Sequence, residues 1–275
     1  MNKKSLKIKL LSTPYLFWSI MFIVIPLFMV FYYGLTDESG AFTWDNVLAI
    51  GQYEHLKGLF IALVLSLIAT IICIVLAYPL ALILNSGKKD SHSYIVFIFI
   101  LPMWMNFLLR TMAWQTLLEK TGIINSILKF LHLPVWNIIN TPQAIVLGMV
   151  YNFLPFMILP IFNSISKIDE NVINAAKDLG ANYFQVFTKI ILPLSVPGVI
   201  SGTTMVFIPA LTTFVISNLL GGSKILLIGN IIEEEFTQAS NWNLGSGLSL
   251  VLMIFILISM GVSNMFDKEG EGNML

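Results

Sequence analysis

Six long apolar stretches dominate the chain, at about residues 14–34, 58–84, 94–118, 143–165, 193–216 and 244–266, and Arg110 is the one charged residue inside any of them. A bilayer core about 30 Å thick is crossed by roughly 20 apolar residues of α-helix. Only a structure that satisfies its own backbone hydrogen bonds can make that crossing. The pattern predicts an all-α membrane protein of six transmembrane helices, organised as one transmembrane domain over 1–275. Charge excludes the alternatives. Charged residues are 11% of the chain, against about 25% in a soluble domain, too few to cover a water-facing surface. The net charge of zero removes the electrostatic case for nucleic acid, which needs a basic patch. The one cysteine, Cys73, sits in an apolar run and can form no internal disulfide. The first stretch follows a basic flank, as a secretory signal does. Its apolar part is longer than a signal's and no A-x-A site follows, so it reads as a retained helix.

Lysine and arginine in the short connections set orientation. Lys3, Lys4, Lys7, Lys9, Lys88, Lys89, Lys167, Lys177, Lys189 and Lys268 fall on one side of the predicted spans, and Lys57, Lys120, Lys129 and Lys224 on the other. The imbalance places both termini in the cytoplasm. The outer connections carry Asp37, Glu38, Asp45, Glu54, Glu119, Glu233, Glu234 and Glu235. That face is net negative, which serves either as a solvated surface or as an attractor of cations. Pro26, Pro79, Pro102, Pro155, Pro160, Pro197 and Pro209 fall in or at the edges of spans. Each removes an intrahelical hydrogen bond that lipid cannot replace, so neighbouring helices or a wet cavity must take the freed carbonyls. Such breaks suit a bundle that flexes or encloses a path.

The cytoplasmic segment 167–192 is too polar to span and too patterned to be a linker. Val172, Ala175, Ala176 and Leu179 recur at helical spacing. Asp169 or Asn171 can cap the start, and Gly180 can end it in the left-handed conformation. A second helical run from Tyr183 places Phe184, Phe187, Ile190 and Ile191 on one face and leads into Pro193 and the fifth span. The result is a short helix, a glycine turn and an amphipathic helix on the inner membrane face. Taken alone, that pattern fits helices lying on headgroups as well as it fits a docking element.

The core Asn174-Ala175-Ala176, with Asp178 and Gly180 after it and Ile190 and Leu192-Pro193 further on, resembles the "EAA" loop of ABC importer permeases. In that family the loop carries the coupling helix that docks on a cytoplasmic ATPase. The family's motif begins with glutamate, and Asn174 stands in that place here. The resemblance runs along nearly the whole chain: Leu109-Arg110-Thr111 with Ala113-Trp114, the stretch from Leu154 to Ile161, and Leu219 to Lys224 with Leu227 to Asn230 resemble segments of spermidine/putrescine permeases, most of all their B-type subunit. Branches for ferric iron, thiamine and organophosphonate share much of this layout.

The resemblance implies the six-span ABC importer permease (MetI-like) fold in a bacterial inner membrane. It implies a homologous C-type permease, two ATPase subunits beneath and an extracytoplasmic polyamine-binding protein outside. The chain would be no enzyme and hold no cofactor, ATP and magnesium residing on the ATPase; consistently, it has no G-x-x-x-x-G-K-[ST] phosphate loop. A polyamine path calls for carboxylates and aromatic faces. The candidates are Trp104, Trp114, Tyr151, Phe207 and Phe214 in the spans and Glu233, Glu234 and Glu235 before the sixth, with Asn218 a weaker polar candidate at the outer mouth. Membrane-belt or packing roles for the aromatics, and a solvated role for the glutamates, are the other readings. Arg110, on a stripe with Asn106 and Trp114, would repel a polyamine and is expected to pair with an acid or with carbonyls at a helix break, as a structural or gating group. The rivals are an intramembrane enzyme and a standalone secondary transporter. The first lacks a span histidine, since His55, His92 and His132 are expected in loops; the second leaves the cytoplasmic helix without purpose.

Overall fold

The computed structural model describes residues 13–86, 101–222 and 224–272. They are helical: α1 (Thr13–Gly34), α2 (Tyr53–Ser86), α3 (Phe107–Leu118), α4 (Ile123–Phe130), α5 (Pro142–Ile165), α6 (Glu170–Asp178), α7 (Tyr183–Thr212), α8 (Val215–Gly221), α9 (Ile228–Thr237) and α10 (Trp242–Gly272). Among the described residues the one β element is an isolated bridge between Thr36 and Phe42. Helices α1, α2, α5, α7 and α10 are each long and apolar enough to cross a membrane. The expected third span, 94–118, lies partly outside the described residues. Its described part is a 3-10 turn, Leu101–Trp104, followed by α3.

Three expectations need correction. The stripe Asn106–Arg110–Trp114 is shortened, because α3 begins at Phe107 and Asn106 is its N-cap: the side-chain oxygen accepts from the Leu108 and Leu109 amides at 2.9 and 3.2 Å. Asparagine competes for nearby backbone donors and so starts helices better than it continues them. The fifth span is displaced. The amphipathic run from Tyr183 flows into it without interruption, and the helix stops at Thr212, with Thr213 extended (φ −68°, ψ 137°) before α8 resumes. His55 is buried in the first turn of α2, its Nδ1 2.6 Å from the Ala49 carbonyl; His92 lies outside the described residues.

Two turns widen to π-helix, Ile20–Val24 in α1 and Phe187–Ile191 in α7. Each closes on the residue before a proline: the Ile25 amide donates to Ile20 and Pro26 follows, and the Leu192 amide donates to Phe187 and Pro193 follows. A proline ring crowds the carbonyl four residues back and brings no N–H. Widening the preceding turn relieves that crowding and keeps its amides bonded.

The chain divides into two compact units. The smaller comprises Met1–Leu56 and Ile231–Phe255. Here Asn243 donates to the Tyr33 and Thr36 carbonyls (3.1 and 2.6 Å) and Asn46 donates to Thr36 (2.8 Å), closing the C-terminal end of α1. Such carbonyls have no intrahelical partner and need one. In the adjoining loop Asp37 accepts from the Ser39 hydroxyl and the Ala41 amide, which holds its carboxyl below the usual carboxylate range.

The larger unit comprises Lys57–Asn230 and Ile256–Leu275. Within it α7 packs extensively on α5. Helices in lipid gain little from hydrophobicity and associate where small residues let backbones approach. On α7, Gly198 sits on Pro160, Ile161 and Ser164, and Gly202 on Met157. Helix α2 buries Ala62, Ser66, Ala69, Cys73, Ala77 and Ala81 completely, a stripe of small residues every three or four positions.

The break after Thr212 is held by Asn230, itself buried. Its Oδ1 accepts from the Ser217 hydroxyl (2.6 Å) and the Leu227 amide (3.0 Å), and its Nδ2 donates to the Phe214 carbonyl (3.1 Å) and Asn218 Oδ1 (2.6 Å). All four hydrogen-bonding capacities of the amide are used. Asn230→Ala is expected to lower stability by on the order of 3 kcal/mol, because it strands buried polar partners on both sides of the break. Thermal unfolding in detergent measures this, and an unchanged midpoint would show that the break does not depend on the network.

Candidate functional site

The segment predicted as a coupling element folds as two capped helices. Asp169 is the N-cap of α6, accepting from the Asn171 amide at 2.9 Å. At the other end Gly180 takes φ +87°. Its amide donates to Lys177 (2.9 Å) and the Ala181 amide donates to Ala176 (3.0 Å), the pair of bonds that defines a Schellman motif. Asn182 then starts α7 with a capping box: its Oδ1 accepts from the Gln185 amide (2.8 Å) and Gln185 Oε1 accepts from the Asn182 amide (2.9 Å). The Lys177 ammonium lies 5.9 Å from the Tyr183 ring centroid.

These caps matter because α6 buries nothing. Asn174, Ala175, Asp178 and Gly180 are exposed and Ala176 is half-buried. A nine-residue helix is too short to be stable alone, so its order comes from its ends. Leu179, Tyr183 and Phe184 beside it are 90%, 87% and 73% exposed. Three adjacent large apolar side chains in that state form an unpartnered apolar face, of the kind that meets a partner or lipid headgroups. A cavity of about 540 Å³ lies between the start of α6 and the bases of α5 and α7, with Asn163, Lys167, Asp169, Val172, Pro197 and Ser201 in its wall.

Of the span candidates, the fold brings together Arg110, Trp114 and Tyr151. The buried Arg110 guanidinium lies 5.9 Å from the Tyr151 ring centroid, and Trp114 meets the same ring edge-on at 5.1 Å. The face of Tyr151 thus already holds a cation. Next to them Asn152 donates to Thr111 Oγ1 (3.3 Å) and to the Gly148 carbonyl (2.9 Å), fastening α3 to α5. Trp114 and Tyr151 also line an apolar groove of about 630 Å³ with Leu65, Ile68, Val150 and Leu154. Trp104 is 74% exposed in its 3-10 turn. Phe207 lies on α7 and is half-buried, and Phe214 sits in the break, with its carbonyl engaged by Asn230. Asn218 also belongs to that network. Glu233, Glu234 and Glu235 are half-buried on α9, where the Thr237 hydroxyl donates to the Glu233 carbonyl and carboxylate at 2.7 and 3.2 Å.

The bridging roles of Asn230 and Asn152 and the small-residue stripe of α2 were not among the sequence expectations. The stripe was visible in the spacing of Ala62 to Ala81. The asparagines carry no such periodic signal, since their roles depend on partners brought near by folding.

Helices long and apolar enough to cross a membrane, with the capped and exposed α6 just ahead of one of them, fit a membrane permease. The chain belongs to the family of binding-protein-dependent transport system inner membrane components, which it matches over residues 77–269. It is 36% identical over 267 residues to the spermidine/putrescine transport system permease protein PotB of Haemophilus influenzae, covering 92% of this chain and 93% of that protein. Against PotB of Escherichia coli it is 34% identical over 267 residues, covering 92% and 97%. Its fold is shared with a chain of a bacterial ABC transporter involved in the import of the acidic polysaccharide alginate, at a TM-score of 0.79, 18% identity and 96% coverage of each chain.

Proposed function

We propose that this chain is the B-type permease subunit of an ATP-driven importer that brings spermidine or putrescine into the cytoplasm. The observation that carries the reading is the similarity to polyamine permeases over 92% of the chain, which takes in the spans and the capped segment 170–186 together. In this reading the run 94–118 completes six spans in a single transmembrane domain, and both termini face the cytoplasm. A second, C-type permease faces this one, two ATPase subunits bind beneath, and a polyamine-binding protein delivers the solute outside.

Helix α6, with Asn174, Ala175, Ala176, Asp178 and Gly180, docks on an ATPase subunit. ATP and magnesium are held there, and this chain hydrolyses nothing. Closure of the ATPase pair moves α6 and the start of α7, and the spans follow. Arg110 is a structural group, its charge lodged against Tyr151 rather than offered to a cationic solute. Of the aromatic candidates, Trp104, Phe207 and Phe214 serve the path.

The experiment is uptake of labelled spermidine by proteoliposomes holding the whole complex and its loaded binding protein. Saturable, ATP-dependent uptake competed by putrescine supports the reading. Uptake of ferric iron, thiamine or an organophosphonate in its place would assign the chain to a related branch. Glutamates 233 to 235 supply a further test. Replacing all three with glutamine is expected to raise the KM for spermidine several-fold, on the order of 1 kcal/mol, and to flatten its dependence on ionic strength. Unchanged kinetics would make the cluster ordinary solvated surface.

A further inference from the structure

The widened turn Phe187–Ile191 joins the coupling segment to the spanning part of α7, and a single side chain from α2 holds it at both ends. Tyr78 is buried. Its ring meets Phe187, the first residue of the turn, edge-on at 5.7 Å and 90°. Its hydroxyl lies 2.5 Å from Ser195 Oγ, past the turn's other end. Ser195 is fully buried and donates to the Leu192 carbonyl at 3.0 Å. A serine hydroxyl has one proton, so with that proton on Leu192 the tyrosine must be the donor to Ser195. The chain of bonds runs Tyr78 Oη–H to Ser195 Oγ–H to the Leu192 carbonyl, and Leu192 is the residue whose amide closes the π turn on Phe187.

We infer that Tyr78 is a positioning residue for transport: it clasps the π turn so that a displacement of α6 and the start of α7 moves α2 and α7 as one. The inference rests on the reading of α6 as the ATPase dock. A π turn lacks the regular ladder that makes an α-helix stiff, and such turns recur at functional sites. Left to itself, the turn would absorb a push from the coupling segment by bending. An edge-on ring contact at one end and a buried hydroxyl relay at the other remove that freedom. Tyr78 and Ser195 are both buried, and a hydrogen bond is strongest away from water.

The test uses the complete complex carrying Tyr78→Phe, Ser195→Ala or both. Tyr78→Phe removes one oxygen atom and leaves the ring against Phe187. Expected is an uptake of labelled spermidine per ATP hydrolysed that falls about tenfold, with the ATPase retained on the complex. The double variant is expected to be no worse than Tyr78→Phe alone, as for two residues of one interaction. A second measurement needs no solute: amide hydrogen exchange across residues 76–82 should respond to ATP in the wild type and lose that response in Tyr78→Phe. Wild-type uptake per ATP with an intact exchange response in Tyr78→Phe, or additive losses in the double variant, would overturn the clasp. Leu179→Asp with Tyr183→Asp separates the two readings. If these release the ATPase while Tyr78→Phe behaves as wild type, the clasp alone is wrong. If the ATPase stays bound, the dock is wrong and the clasp falls with it.

Discussion

Gly198→Leu is expected to deplete the folded permease from the membrane, with a loss of stability of about 3 kcal/mol or more. A Cβ at this position would stand 2.6 Å from the Pro160 carbonyl oxygen, 2.6 Å from Ser164 Cβ and 3.1 Å from Ile161 Cα. Two of those three atoms are backbone, so no rotamer change relieves the overlap. Helix α7 must move off α5, with which it packs extensively. The prolines sharpen the effect. Pro160 leaves the Phe156 carbonyl without its usual intrahelical donor, so the register of this contact matters for hydrogen bonding as well as for packing. Gly198→Ala should show the same sign with a smaller loss. Gly261→Ala is the control, since nothing lies within 4 Å of its would-be Cβ and alanine improves helix propensity there. Quantitation in membranes and thermal unfolding in detergent read the result. Equal midpoints for Gly198→Leu and Gly261→Ala would mean that the α5–α7 contact does not hold the protein together.

Gly180→Val is expected to behave in the opposite way: normal insertion and stability, with ATP-driven uptake reduced about tenfold or more, the equivalent of ~1.4 kcal/mol. The sequence predicts a left-handed helix end at this glycine. The structure agrees, and the requirement lies in the backbone. Gly180 has φ +87° and nothing within 4 Å of a would-be Cβ. Valine therefore meets no obstacle inside the chain but must leave the left-handed region, which costs an L-residue about 1–2 kcal/mol and a β-branched one more. Leaving it breaks both Schellman bonds and redirects α6 relative to Tyr183. Asparagine tolerates the left-handed region best after glycine, so the losses should rank Gly180→Asn, then Ala, then Val. A ranking by side-chain volume alone would indicate steric contact with a partner instead. Wild-type uptake with valine would remove the turn from the transmission of force.

Much of the architecture was legible because membranes impose one-dimensional rules. Five of the six apolar runs fall on helices long and apolar enough to cross a membrane, four of them near their expected limits, since length and hydropathy alone decide whether a segment can cross. The caps of α6 were legible for a similar reason. Asp169 bonds the amide two residues on and Gly180 closes a turn on Lys177, so each acts within a few positions of itself. The candidate site was legible in composition but not in grouping. Arg110 and Trp114 share a helix face, and only the packing of α3 on α5 put both against Tyr151.

What the chain's order of residues determined by itself was therefore local: which segments are long and apolar enough to cross, and where the short helix α6 starts and stops. Tertiary structure alone decided the break between α7 and α8. The run 193–216 holds no glycine near residue 213 and no charge, so hydropathy sees one continuous rod. The helix ends at Thr212 because Gly229 lets its backbone approach the Thr212 and Thr213 carbonyls and Asn230 takes the Phe214 carbonyl. A helix surrenders its own hydrogen bonds inside a membrane only where another part of the protein replaces them. The replacement lies sixteen residues further along, beyond the reach of any local pattern.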